Sequence, residues 1–214
     1  MDEGTDDTDA GALDALLERL RSEAAADRPA ATTPDVGIVM GSDSDLEVMS
    51  GAHDALTELG IEEQTEYDDP PESRFSFETH VVSAHRTPEL LYAYGETAID
   101  RGLEVLIAGA GGKSADLPNM LASIAYPLPV IGVPVQEKSV SSVIGMPTGA
   151  PLTAVDAGKS FNAGLSAAQI LARGDEKLRG QLRAVHDGQK DGVGTVSEEL
   201  HSLGTPGFRD QRDG

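Results

Sequence analysis

Val81-Val82-Ser83-Ala84-His85-Arg86-Thr87-Pro88 ends a strand and opens a helix. The β-branched run from Thr79 to Val82 reads as a buried strand. It breaks at Ser83-Ala84. Thr87 then suits a helix cap, with Pro88 in the first turn, where its missing N–H costs nothing. His85 and Arg86 therefore fall at the carboxyl end of a strand, where open α/β sheets bind ligands. One of the two titrates near neutral pH and the other is a permanent cation. A solvated surface turn would carry the same pair, so its meaning depends on the other strand ends.

Those ends repeat the pattern. Val36 to Met40 reads as a strand, followed by Gly41-Ser42-Asp43-Ser44-Asp45 and a helix to Leu59 that Gly60 stops. Ser42 and Ser44 put hydroxyls at a helix N-terminus, a place that favours anions. Ser and Asp are also preferred caps, and the two carboxylates would repel a phosphate. Val105 to Ala108 is a further strand. It runs into Gly109-Ala110-Gly111-Gly112-Lys113-Ser114-Ala115-Asp116-Leu117-Pro118-Asn119-Met120. Glycines at a strand exit let a ligand approach the backbone and its free N–H groups. The spacing matches neither the dinucleotide fingerprint nor the nucleotide-phosphate loop. After a strand at Val130 to Val133, residues 139–151 form a Ser-, Gly- and Pro-dense loop that wraps over something. Leu152 to Val155 reads as a fifth strand, Phe161 to Ala172 as a small-residue helix, and 174–187 as one more helix.

Strands alternating with helices imply an α/β fold, a three-layer sandwich with a central parallel sheet, flavodoxin- or Rossmann-like. The loops at 41–45, 83–88, 108–116 and 139–151 would then share one rim. Three segments stand outside this body, which spans 35–187. Residues 1–34 form an acidic extension and linker, with nine acids and three bases in 1–28. Its first twelve residues are expected to be disordered. Leu13, Leu16, Leu17 and Leu20 follow at helical spacing, a face to dock on the domain or on a partner subunit. Residues 62–78 hold seven acids and one base and read as an exposed insertion, pinned by Phe75 and Phe77. The tail at 188–214 is expected to be ordered only by contacts.

Composition narrows the function. Of 214 residues, 37 are Asp or Glu and 16 are Lys or Arg, a net charge of -21. Such a surface disfavours nucleic acid and anionic membranes. No apolar run is long enough to span a bilayer, and Met1-Asp2-Glu3-Gly4 does not open a signal peptide. With no cysteine there are neither disulfides nor thiolate metal sites. A soluble cytoplasmic protein is expected. There is no zinc-type His/Cys array and no nucleophile-elbow motif.

Taken together, the four loops and the helix around Asn162 to Leu171 resemble the PurE family of purine synthesis. Gly41-Ser42-Asp43-Ser44-Asp45, Ser83-Ala84-His85-Arg86-Thr87-Pro88, Ala108-Gly109-Ala110-Gly111-Gly112 and Met146-Pro147-Thr148-Gly149-Ala150-Pro151 carry the likeness, over about residues 35–173. The resemblance implies one of two activities on aminoimidazole ribonucleotides. A mutase moves a carboxylate from the exocyclic N5 to ring carbon C4; a carboxylase adds free CO2 at C4. The Leu117-Pro118…Met120 frame fits the mutase, although Asp116 stands where that branch usually has His. The mutase is the first expectation and the carboxylase the second. A non-catalytic module that binds a phosphorylated metabolite is the alternative of another class.

In the mutase reading His85 is the catalytic group, protonating the carbamate nitrogen and later accepting the C4 proton. The resemblance assigns the ribose phosphate to Ser42, Asp45 and Arg86. Ala108, Gly109, Ala110 and Gly111 would wall a pocket that traps CO2. Ser83, Gly112, Lys113 and Asp116 complete the expected substrate site, with Lys113 neutralising Asp116. No metal or organic cofactor is required. The family assembles as octamers whose subunits complete each other's sites, so a homo-oligomer is expected. The acid-rich, lysine-poor composition is itself similar to that of proteins from salt-loving archaea.

Overall fold

The computed structural model describes residues 11–213. Most of the segment expected to be disordered, residues 1–10, lies outside them. The chain runs through α1 (Ala12–Ala25), β1 (Val36–Met40), α2 (Leu46–Glu58), β2 (Glu62–Glu63), β3 (Ser76–Val81), α3 (Pro88–Thr97) and β4 (Val105–Ala110). It continues with α4 (Leu117–Ile124), β5 (Val130–Pro134), α5 (Val140–Val143), β6 (Thr153–Ala154), α6 (Ser160–Leu171) and α7 (Glu176–Asp213). Contacts divide it into two units, with the boundary between Ile170 and Leu171. That boundary falls earlier than the 187/188 division expected from composition.

In the first unit the six strands form one sheet in the order β2-β3-β1-β4-β5-β6, and every neighbouring pair is parallel. β1, β4 and β5 are buried at every position. Covered on both faces, they read as continuous apolar runs rather than alternating ones. The expected flavodoxin-like α/β fold is therefore present. Successive residues face opposite helix layers. A Cβ on Gly37 would strike Tyr94 of α3, whereas one on Gly109 would strike Met49 of α2. α6 lies against α2 through its small residues: Ser160 Oγ donates to the Val48 carbonyl, and a Cβ on Gly164 would stand 2.8 Å from the Ala52 carbonyl oxygen.

Two segments are more integrated than their composition suggests. The leucine face of α1 packs into the core beside α3, with Leu20 fully buried. The supposed insertion at 62–78 supplies β2 and the start of β3; residues 64–75 between them form a loop exposed at half of its positions, with Phe75 and Phe77 buried at its end as expected. Its Gln64 donates to the Thr32 carbonyl and accepts from Ser76 Oγ at 2.8 Å. Its Tyr67 donates to Glu78 Oε2 at 3.1 Å. Six of its seven acids crowd a few buried anchors, which hides them from a composition count; the seventh, Glu78, is itself buried.

Glu78 anchors a charged cluster. The Arg101 guanidinium, 0% exposed, lies 2.7 Å from Glu78 Oε1 and 2.9 Å from Oε2. Tyr94 donates to Oε1 at 2.7 Å, and its ring lies 4.6 Å beneath the guanidinium carbon. Burial opposes ionisation of Glu78, but Arg101, His80 and Tyr94 outweigh it and hold the carboxyl at about 2. Burial and the Glu78 charge push both tyrosines upward.

The second unit contains α7, a helix interrupted at Gly204, where φ is 65°. Asp175 accepts the Leu178 N–H at 2.7 Å before the helix begins, and Arg179 donates to the Ala172 carbonyl at 2.8 Å. The tail expected to be ordered only by contacts thus continues the helix expected at 174–187. The three glycines Gly188, Gly192 and Gly194 lower helix propensity but do not break it. Among the described residues no helix is long and apolar enough to cross a membrane.

Candidate active site

Strand order reverses between β1 and β4. The chain leaves β1 towards β3 on one side and returns to β4 on the other, which opens a crevice beyond their carboxyl ends. A cavity of about 360 Å³ lies there. The β1 loop lines it with Gly41, Ser42, Ser44 and Asp45, and the β3 loop with Ser83, Ala84 and His85. The β4 loop adds Ala110, Gly111, Gly112, Ser114, Asp116 and Leu117, and the β5 loop Gln136 and Lys138.

Local chemistry sets each loop. Ser42 caps the turn after β1: its Oγ accepts from Ser44 N–H at 3.4 Å and donates to Asp43 Oδ1 at 2.9 Å. Asp45 is 7% exposed. Burial raises its pKa, while the backbone N–H groups of Ser42, Gly41 and Gly111 pull it down. A Cβ on Gly111 would stand 3.0 Å from Asp45 Oδ1, so glycine lets the two loops meet. Gly112 adopts φ 84°, a left-handed turn that glycine enters without strain.

After β3, Thr87 holds the N-cap position of α3 but caps nothing with its side chain. Its hydroxyl donates to the Ser83 carbonyl and accepts the Ser83 N–H, both at 3.1 Å, closing the turn that presents His85. Arg86 reaches back across that turn. Its Nε donates to Ser83 Oγ and its Nη2 to the Gly41 carbonyl, each at 3.3 Å, joining the β3 and β1 loops. His85 is exposed, and its Nε2 lies 3.1 Å from Asp116 Oδ2. Asp116 Oδ1 accepts from Ser142 Oγ, also at 3.1 Å.

Of the residues singled out in the sequence, Ser42, Asp45, Ser83, His85, Ala110, Gly111, Gly112 and Asp116 share the cavity lining, with Arg86 at its edge. Ala108 and Gly109 do not line it. They lie inside β4, and the Gly109 carbonyl accepts from Gly41 N–H at 3.0 Å. The sheet already uses their backbone, so they wall nothing. Lys113 is also off the lining, and the pairing expected with Asp116 is replaced by His85 and Ser142. Ser44, read with Ser42 as an anion-favouring hydroxyl, also lines the cavity, whereas Lys138, Gln136, Ser114, Ala84 and Leu117 were missed. Gln136 and Lys138 follow directly on β5. The strand-end rule finds them once the loop is started at residue 135 instead of 139. Among the described residues no three His, Asp or Glu side chains are grouped to hold a metal ion.

A parallel sheet with a small polar crevice at its switch point defines a flavodoxin-like α/β protein with a small-molecule site. The chain belongs to the AIR carboxylase family, whose model matches residues 35–192. It is 45% identical over 181 residues to the N5-carboxyaminoimidazole ribonucleotide mutase of Mycobacterium tuberculosis, covering 82% of this chain and 95% of that protein. The mutase of Bacillus subtilis is 44% identical over 175 residues, covering 78% of this chain and 98% of the relative. A solved structure, Treponema denticola PurE, superposes with a TM-score of 0.62 at 23% identity, covering 78% of this chain and 98% of that one.

Proposed function

We propose that the chain is an N5-carboxyaminoimidazole ribonucleotide mutase of purine biosynthesis, an isomerase that yields 4-carboxy-5-aminoimidazole ribonucleotide. The observation that carries the reading is His85, an imidazole on the lining of the switch-point cavity in a chain 45% identical to curated mutases. Protonation of the exocyclic nitrogen breaks the N–C bond of the carbamate and releases CO2. The electron-rich C4 then forms a C–C bond to that CO2, and the C4 proton leaves. One imidazole can deliver the first proton and accept the second. Recapture requires the CO2 to be held beside C4, which suits a small cavity.

Within this reading Ser42 and Arg86 hold the ribose phosphate and Asp45 the ribose hydroxyls. Ser83, Ala110, Gly111 and Gly112 surround the ring and carboxylate. Lys138 offers a second cation to a substrate with two anionic groups, a phosphate and a carboxylate. The enzyme works as a homo-oligomer in the cytoplasm, an octamer by family resemblance. The acidic surface suits a salt-loving archaeal source. Within the acidic extension, helix α1 packs its leucines into the core of the catalytic body.

Asp116 favours one second reading, a carboxylase that uses free CO2, because the mutase branch usually has His at this place. Two incubations of the purified protein separate them. One supplies the carbamate ribonucleotide without bicarbonate; the other supplies aminoimidazole ribonucleotide with saturating bicarbonate. Efficient turnover of the first and poor turnover of the second is expected. The reverse preference would assign the carboxylase, and turnover of neither would leave a binding module.

A further inference from the structure

We propose that Asp116 is the positioning residue for His85, and that Ser142 holds Asp116 in place. The inference rests on the reading of His85 as the proton carrier. Asp116 occupies the N-cap position of α4, where an aspartate ordinarily accepts a helix N–H. Here its side chain caps nothing. Its two oxygens go instead to His85 Nε2 and Ser142 Oγ, both at 3.1 Å. The cap is given up and the imidazole gains its only protein hydrogen-bond partner among the described residues.

Ser142 is itself fixed from two directions. Asn119, one turn along α4 from Asp116, donates from Nδ2 to the Ser142 carbonyl at 2.7 Å. Three residues before Ser142, Ser139 Oγ donates to the Gly112 carbonyl at 2.8 Å. The segment after β5 is thus clamped to α4 and to the glycine loop, and it presents one hydroxyl to Asp116. Ser142, Asp116 and His85 form a continuous chain from that segment to the cavity.

The chemistry follows from donor and acceptor roles. A carboxylate accepts only, so Nε2 must carry a proton. In the neutral imidazole the lone pair then sits on Nδ1, the nitrogen left to exchange a proton with substrate. After Nδ1 gains that proton, the Nε2–H contact persists beside the carboxylate, so the ring need not turn between the two transfers. His85 and Asp116 side chains are 61% and 41% exposed, so the contact acts by orientation more than by Coulomb energy.

The test uses the full-length protein and the variants Asp116→Ala, Asp116→Glu, Ser142→Ala and the Asp116→Ala/Ser142→Ala double. With the carbamate ribonucleotide, Asp116→Ala should lower kcat about 10–100-fold while KM stays within about twofold. Asp116→Glu should recover part of the loss, Ser142→Ala should lose less, and the double variant should be no worse than Asp116→Ala alone. A kcat within twofold of the parent would overturn the proposal, and a loss carried by KM would replace it with a direct substrate contact. Crystal structures of the parent and Asp116→Ala give a readout that needs no turnover. The His85 ring should hold one rotamer in the parent and several in the variant; one unchanged rotamer in both would overturn it. If the parent does not turn over the carbamate, the mutase reading has failed, and the rotamer comparison still decides the positioning.

Discussion

Replacing Glu78 by Gln removes one charge from the buried cluster and keeps its shape. The Arg101 guanidinium is then left 0% exposed without its principal counterion, while Gln can still accept from Tyr94. Breaking a buried pair from one side costs about 3–5 kcal/mol. Glu23 stands 3.7 Å from the same Arg101 nitrogen. Burial chiefly raises its pKa, and the Glu78 charge adds to this. With Glu78 neutral, Glu23 ionises more readily and recovers part of the loss, so about 3 kcal/mol is expected. For a chain of this size that corresponds to a drop of about 6–12 °C in Tm. The assay is urea unfolding at pH 7, in low and in molar potassium chloride. A buried pair is little screened, so the difference between parent and variant should be the same in both salts. Glu78→Met/Arg101→Met should regain most of the loss, because neither charge is then stranded. A loss below about 1 kcal/mol, or a double variant worse than the single one, would refute the reasoning.

Other perturbations address the site and the titrating groups. His85→Asn should keep substrate binding and lose about 10²–10⁴ in kcat, read by steady-state kinetics; near-normal turnover would remove His85 from the chemistry. Arg86→Ala should raise KM more than it lowers kcat, since a charge-assisted phosphate contact is lost; an unchanged KM would place the phosphate elsewhere. Burial lifts Asp35 from 3.8 to about 6 against the Ser76 N–H it accepts. The folded state therefore holds more protons between those values, and this contribution, present in full below about 3.8, is lost as pH rises through about 6. Asp35→Asn should flatten that slope in urea unfolding, by about 2–3 kcal/mol across the window; an unchanged slope contradicts it. With a net charge of -21, the parent's Tm should rise from low to molar potassium chloride as self-repulsion is screened, whereas a flat response would contradict the brine reading.

The parallel sheet was legible because its signals are local. β-branched runs ending in glycine or serine give strands their length and their exits, and Pro88 and Gly60 punctuate the helices within a few residues. The same locality made His85 and Ser42 readable, since a strand's carboxyl end lies next to it in the chain. Contacts between distant residues needed the fold. His85 meets Asp116 across 31 positions, and Asp116 meets Ser142 across 26. No spacing rule relates residues that reach one rim on different strands. Tyr67, Glu78 and Arg101 show the same limit, for a few buried partners tie an acidic, largely exposed stretch to the body of the domain. Periodicity records which way a side chain faces. Which partner it meets is decided by strand order and register, and these emerge only when the sheet has closed around its core.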